Sequence, residues 1–304
     1  MKTSFGLAAG IVAALALAGC NVDTQPPAIP FADTTDKTLK DPDNGIREFY
    51  VDFARVESEK PLSRADLAKI TPENIANLSQ EEVDQIYGRL TAGPIPDGPY
   101  YGDLFFAKGQ SLHTRLGEIL GGVEGHIADA KIATLENVGK QLWKGKMFYR
   151  NELVLRNLID NLTPLKPLVD DLGTVRTTTI KRQGPLGSFL PNNKVWLLFP
   201  AKLYCGQSLV DSRRESVIID YSYGDEIDGY RASPDSLAGR GGLRIRDEIR
   251  MVRPGFYLGR AYANRLFLLN FTLYNPDVAE AGAGKPVAED CWTGEQARSE
   301  TASR

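Results

Sequence analysis

Residues 243–274 read LRIRDEIRMVRPGFYLGRAYANRLFLLNFTLY, and the period of this stretch decides the fold. Three runs of alternating character are separated by Arg253-Pro254-Gly255 and by Ala263-Asn264. Side chains of a strand point alternately to two faces, and connections this short make consecutive strands antiparallel neighbours. In the first run Leu243, Ile245, Asp247, Ile249 and Met251 share a face, while Arg244, Arg246, Glu248 and Arg250 begin the other. The second run places Phe256, Leu258, Arg260 and Tyr262 in one row. In the third, Phe267, Leu269, Phe271 and Leu273 oppose Leu266, Leu268, Asn270 and Thr272, so both faces are partly covered. Asp247 and Arg260 thus interrupt apolar rows, where a charge is costly unless paired. Pairing about the Arg253-Pro254-Gly255 turn sets Asp247 opposite Arg260 or one step away, and an ion pair between them is expected. That pair is either structural or the polar floor of an apolar pocket, in which case Arg260 holds an anionic head group.

The same alternation extends upstream. WKGKMFY, TVRTTTIK, KVWLLFPAKLYC and ESVIIDYSY follow one another from Trp143, separated by turn-rich segments. Runs of this number and spacing argue for an antiparallel sheet that curls or closes. Before Trp143 the flavour is helical. SRADLAKI and SQEEVDQIYGRL each open on Ser, and Ser79 with Glu82 forms a capping-box pattern. Leu112, Leu116, Ile119 and Leu120 recur at helical spacing, as do Ile127, Ile132, Leu135 and Val138 approximately. The expected fold class is α+β: a curved antiparallel sheet or lipocalin-like β-barrel with N-terminal helices packed on it. One domain spans 46–278, with its β-rich part at 143–275. With 42% hydrophobic and 25% charged residues, the chain has the composition of an ordinary folded protein.

Short motifs inside this domain resemble a known arrangement. Gly98-Pro-Tyr-Tyr-Gly102, then Leu142-Trp-Lys-Gly-Lys-Met-Phe148, then SVIIDYS lie in the order seen in a bacterial and plant family. There a GXWXG domain ending in a Trp-x-Gly-Lys-x-Phe element precedes a second domain of unknown function with an IIDY-like strand. Tyr100 stands where that family has Trp. The resemblance implies a small barrel like that of lipocalins in outline, and no established reaction. Tyr100, Trp143, Tyr262 and Asn270 join Asp247 and Arg260 as candidate ligand-binding residues.

The chain opens MKTSFGLAAGIVAALALAGCN. Lys2 supplies a positive start, and the apolar run from Phe5 to Leu17 is shorter than the roughly 20 residues of a membrane-spanning helix. Leu17, Ala18 and Gly19 before Cys20 resemble the lipobox of bacterial lipoproteins. That resemblance implies a signal peptide over 1–19 and lipidation at Cys20, with acyl chains holding the protein on a membrane. Asn21 stands where an Asp would resemble an inner-membrane retention signal, so the expected location is the cell envelope, on the outer membrane and facing the periplasm. Residues 20–45, rich in Pro, Asp and Thr, are expected to form a flexible tether, and 279–304 a mobile tail, which Cys291 and Trp292 are placed to pin. With Cys20 lipidated, Cys205 and Cys291 remain, either bridged or free.

Chemistry is sparsely signalled. The two histidines, His113 and His126, have no neighbouring ligand at metal spacing, and Gly-x-Ser-x-Gly is absent, with Gly206-Gln-Ser208 only imitating its start. LAGRGGLRIRD carries a glycine run but leads into a strand, without the helix whose start would hold a phosphate. Asp103, Asp220 and Asp247 are open to acid–base work if buried. No cofactor or metal is expected. A net charge of -3 with no basic run argues against nucleic acid. The expected function is binding or carrying an apolar or lipid-like ligand in a barrel-like pocket. The alternatives are an enzyme acting on such a ligand and a structural lipoprotein docking a protein partner.

Overall fold

Alternation in the C-terminal half is what lets the sheet close: one row of each strand turns inward and the other faces helices or solvent. The computed structural model describes residues 24–33, 38–40, 47–49, 51–109, 142–163, 172–182, 191–285 and 288–291. A short hairpin of β1 (Thr38–Lys40) and β2 (Arg47–Phe49) precedes four helices, α1 (Phe53–Glu59), α2 (Arg64–Lys69), α3 (Pro72–Ile75) and α4 (Gln80–Arg89). The barrel strands are β3 (Gly98–Phe105), β4 (Trp143–Tyr149), β5 (Val154–Ile159), β7 (Asn193–Gln207), β8 (Glu215–Asp220), β9 (Ile245–Arg253), β10 (Phe256–Ala263) and β11 (Leu266–Tyr274). They run in the order β5-β4-β3-β11-β10-β9-β8-β7, and β5 pairs with β7 to close the ring. β6 (Thr177–Ile180) adds to the first residues of β7. The closed antiparallel barrel agrees with the sheet that curls or closes expected from the alternation, and is consistent with a lipocalin-like barrel. The remaining α-helices among the described residues are α5 (Ala232–Asp235) and α6 (Pro276–Gly282).

The interior is filled by Tyr100, Phe148, Leu155, Leu203, Ile219, Ile249, Tyr257 and Phe271 among others, as is usual for a barrel of this size. Outside, Ile70, Ile75, Val83 and Ile86 from the helical segment share a second buried cluster with Val252, Phe256 and Leu258 of β9 and β10. Ser79 Oγ accepts from the backbone N–H of Glu82, and the Ser79 backbone N–H donates to the Glu82 carboxylate, so the capping box that the sequence suggests starts α4.

Two expected boundaries move. Part of the expected tether is packed: Ala32 exchanges hydrogen bonds with Gln85 of α4 (2.9 and 3.1 Å), Pro30 O accepts from Arg89 (2.8 Å), and Asn77 reaches Thr24 O (2.6 Å). Ile29 and Phe31 supply the apolar contacts that its Pro-rich composition seemed to lack. At the other end of the chain, α6 and the Cys205–Cys291 disulfide carry structure beyond residue 278.

The disulfide sits where one end of the barrel is closed. Ile95 enters the interior cluster, Thr91 bridges to Met251, Tyr257 OH donates to Pro94 O (2.7 Å), and Gly93 N donates to Glu289 O (3.0 Å). The bond joins residues 86 apart in sequence. Closing a loop of that length removes much denatured-state entropy, so Cys291→Ser is expected to cost about 2–4 kcal/mol. Urea unfolding of oxidised wild type and variant measures it, and coincident midpoints would contradict it.

Candidate functional site

WKGKMFY sets its buried lysine by alternation. Lys146 and Phe148 share the inward row of β4, so Lys146 enters the barrel. A bulge precedes it: Trp143 pairs with Ile159 and Gly145 already with Leu158. Gly145 has φ of 127°, and a Cβ there would lie 1.9 Å from Tyr100 O. Gly102 of β3, next to the Tyr101 that pairs with Gly145, leaves room for the Trp143 ring, which a Cβ would approach to 2.2 Å. The two glycines of the motifs therefore seat the indole, and no larger residue fits either position.

Around Lys146 the interior is polar and complete. Nζ donates to Asp247 Oδ2 (2.9 Å), Asn157 Oδ1 (3.0 Å) and Tyr221 OH (2.6 Å). Tyr221 OH donates in turn to Asp247 Oδ2 (3.2 Å), and Trp143 Nε1 to Asn157 Oδ1 (2.8 Å). Asn157 Nδ2 reaches Tyr221 OH and Phe199 O. The ammonium also lies 5.3 Å from the centroids of Trp143, Tyr221 and Phe271. Lys146, Asn157, Tyr221 and Asp247 are each 5% exposed or less. Burial lowers the lysine pKa, and Asp247 only partly restores it. Burial, then Asp247, raises the Tyr221 phenol well above its ordinary value.

The cage has an apolar approach. Leu104, Trp143, Phe199, Ile245 and Leu269 pack on the interior cluster yet stay half-buried, and they lie at the barrel end opposite the disulfide. Amphipathic recognition needs this combination of a few oriented polar groups beneath apolar walls.

No known family's sequence profile, no curated protein and no solved structure matches the chain. Function has to be read from the residues themselves.

The predicted ligand set divides between the two faces of the wall. Tyr100, Trp143 and Asp247 face the interior. Arg260, Tyr262 and Asn270 lie on the outer face beneath α4, where Arg260 Nη1 meets Asp84, its Nε meets Tyr262 OH (3.0 Å), and Asn270 meets Gln80 (2.8 Å). The expected Asp247–Arg260 ion pair is not formed. Arg260 stands opposite Glu248, and Asp247 opposite Ala261. A displacement of one residue moves a side chain to the other face, so neighbours one step apart point away from each other. Arg260 also stacks 4.2 Å from the Phe267 centroid. Against the lowering effect of burial, Asp84 and Tyr262 raise its pKa, so the guanidinium is held as a cation by partners on the outer face of the wall.

Lys146, Asn157 and Tyr221 were not singled out by sequence. Lys146 on the row of Phe148 was the available signal, of the same kind that drew attention to Asp247. Tyr221 and Asn157 carry no such signal, because their role depends on how the ring closes. His113, His126 and the helical pattern between 112 and 138 lie outside the described residues, as do Cys20 and the leader. Among the described residues no three His, Cys, Asp or Glu side chains cluster as metal ligands, and no helix is long and apolar enough to cross a membrane.

Proposed function

We propose that the protein is an envelope lipoprotein, held through a lipid on Cys20 at the outer membrane and facing the periplasm, which binds or carries an apolar or lipid-like ligand in a barrel-like pocket. The observation that carries this reading is the asymmetry of the interior. One end is closed by residues 91–97 and the disulfide, and the other keeps Leu104, Trp143, Phe199, Ile245 and Leu269 half-buried above the Lys146 cage. An apolar chain lies against these side chains, and its polar end meets the cage by exchanging hydrogen bonds with Tyr221 and Asn157. The leader and lipobox supply the anchor. The order of the GPYYG, WKGKMF and IIDY elements is in keeping with the small-barrel family they resemble.

One labelling experiment addresses anchor and ligand together. Cells fed an alkyne fatty acid yield detergent-purified full-length protein, which is then extracted with organic solvent. Label that survives extraction on wild type and vanishes in Cys20→Ser reports the anchor. An extractable lipid found by mass spectrometry on wild type, and lost in Trp143→Ala, reports the ligand. Equal covalent label in Cys20→Ser defeats the first half, and the absence of any extractable lipid defeats the second.

A further inference from the structure

Outside the barrel, a groove of about 810 Å³ lies where α1, α2 and α6 meet the β9–β10 turn. That volume is in the range of small-molecule sites. Its apolar walls come from Leu62, Leu67, Met251 and Tyr274. Its charges are unbalanced: Arg64, Arg89, Arg214, Arg253 and Lys285 face only Glu57, Glu280 and Glu289. Glu57 is already bound to Arg213 and Arg214.

Two of these cations are set in place without a carboxylate. Arg89, 8% exposed at the end of α4, donates among the described residues only to main-chain oxygens, those of Gln85, Pro30 and Lys60, and its Nη2 has no partner among them. Arg253 likewise donates to Leu67 O and Ile70 O (3.0 and 2.6 Å). Burial lowers the pKa of both, Arg89 to about 10, opposed by Asp66 at Arg89 and by Tyr274 and then Glu73 at Arg253. Asp66 is itself committed to capping α2 and to Lys69. Carbonyl oxygens fix a guanidinium in position but leave its charge uncompensated, and a buried charge without a counter-ion is unfavourable. An anion supplied from outside relieves this, and guanidinium groups match carboxylate and phosphate oxygens well.

We propose that this groove binds an anionic amphiphile, with a carboxylate or phosphate head held between Arg89 and Arg253 and an apolar chain lying along Leu62, Leu67, Met251 and Tyr274. The site is separate from the barrel interior and stands independently of the ligand proposed there. Uncompensated charge gives the head its sign, and the apolar wall selects a head that carries a chain.

Thermal unfolding of the full-length, detergent-solubilised protein tests this with four probes: octyl phosphate, octanoate, octanol and inorganic phosphate. A ligand that binds only the folded state raises the melting temperature in proportion to its affinity. Octyl phosphate and octanoate are expected to raise it, less so as salt is added, with octanol and inorganic phosphate giving much smaller shifts. Arg253→Gln is expected to weaken octyl phosphate at least 10-fold, and Trp143→Ala to leave it unchanged. Since Arg89 braces three segments, Arg64→Gln and Lys285→Gln serve as further variants on the exposed rim, each expected to weaken binding by a smaller factor. Equal shifts from octanol overturn the charge requirement, equal shifts from inorganic phosphate overturn the chain, and loss in Trp143→Ala with retention in Arg253→Gln moves the site into the barrel. No shift from any probe overturns the proposal outright.

Discussion

Asp247→Ala is expected to destabilise the barrel by about 3–5 kcal/mol, because it leaves the Lys146 ammonium buried without its counter-charge. Lys146 is 2% exposed, so its ammonium depends on the surrounding cage for its counter-charge. Lys146→Met removes that charge but strands the buried Asp247 carboxylate in its place, and only the double change removes both. The variant Lys146→Met/Asp247→Ala is therefore expected to lose less than the sum of the single changes, with a coupling on the order of 0.5–3 kcal/mol. Urea unfolding of all four proteins gives the coupling, and additive losses would show that the two side chains do not act as a pair.

The pH dependence of the Asp247→Ala variant separates charge from packing. In the native protein burial already lowers the Lys146 pKa against the pull of Asp247. Without Asp247 that opposing pull is gone and the folded-state value falls further, while the unfolded lysine stays near about 10.4. Between the two values the unfolded chain binds the proton and the folded one does not, so stability rises with pH across that window. Below it the full penalty is present, and above it none. A variant that loses the same stability at every pH between 7 and 10 would point to a packing defect instead.

Alternation made much of the barrel legible. Residues 243–274 and the runs from Trp143 onward give β4, β7, β8, β9, β10 and β11 through apolar residues at period two, and β6 through its β-branched threonines. Two strands escaped. β3 begins GPYYG, where glycine and proline mask strand character and serve the bulge and the Trp143 ring instead. β5 is VLRNLI, whose inward Asn157 breaks the apolar row because it belongs to the cage. The strand that is hardest to read is thus one that carries the site. Closure itself, β5 on β7, joins residues some forty apart through segments without a short turn, and no local pattern specifies it. The register of β9 on β10 was legible, because the Arg253-Pro254-Gly255 turn sets it. Which polar residue meets which was not. Partners for Asp247 and Arg260 come from β4 and α4, far away in sequence, and only tertiary structure brings them near.

That distinction carries the last expectation. Arg260→Ala and Asp84→Ala should each cost about 3–5 kcal/mol, since each strands a buried charge between α4 and the barrel wall. The double change should recover part of the loss, giving a clear coupling between Arg260 and Asp84. Arg260 and Asp247, one step apart across β9 and β10 but on opposite faces, should show additive losses within about 0.5 kcal/mol. The comparison tests the register itself. A one-residue slip of β10 against β9 would bring Arg260 to the face of Asp247 and withdraw it from Asp84. Coupling of Arg260 to Asp247 in place of Asp84 would mean that the barrel wall is paired one residue out of step, and the Lys146 cage, built on the same inward row of β9, would have to be redrawn with it.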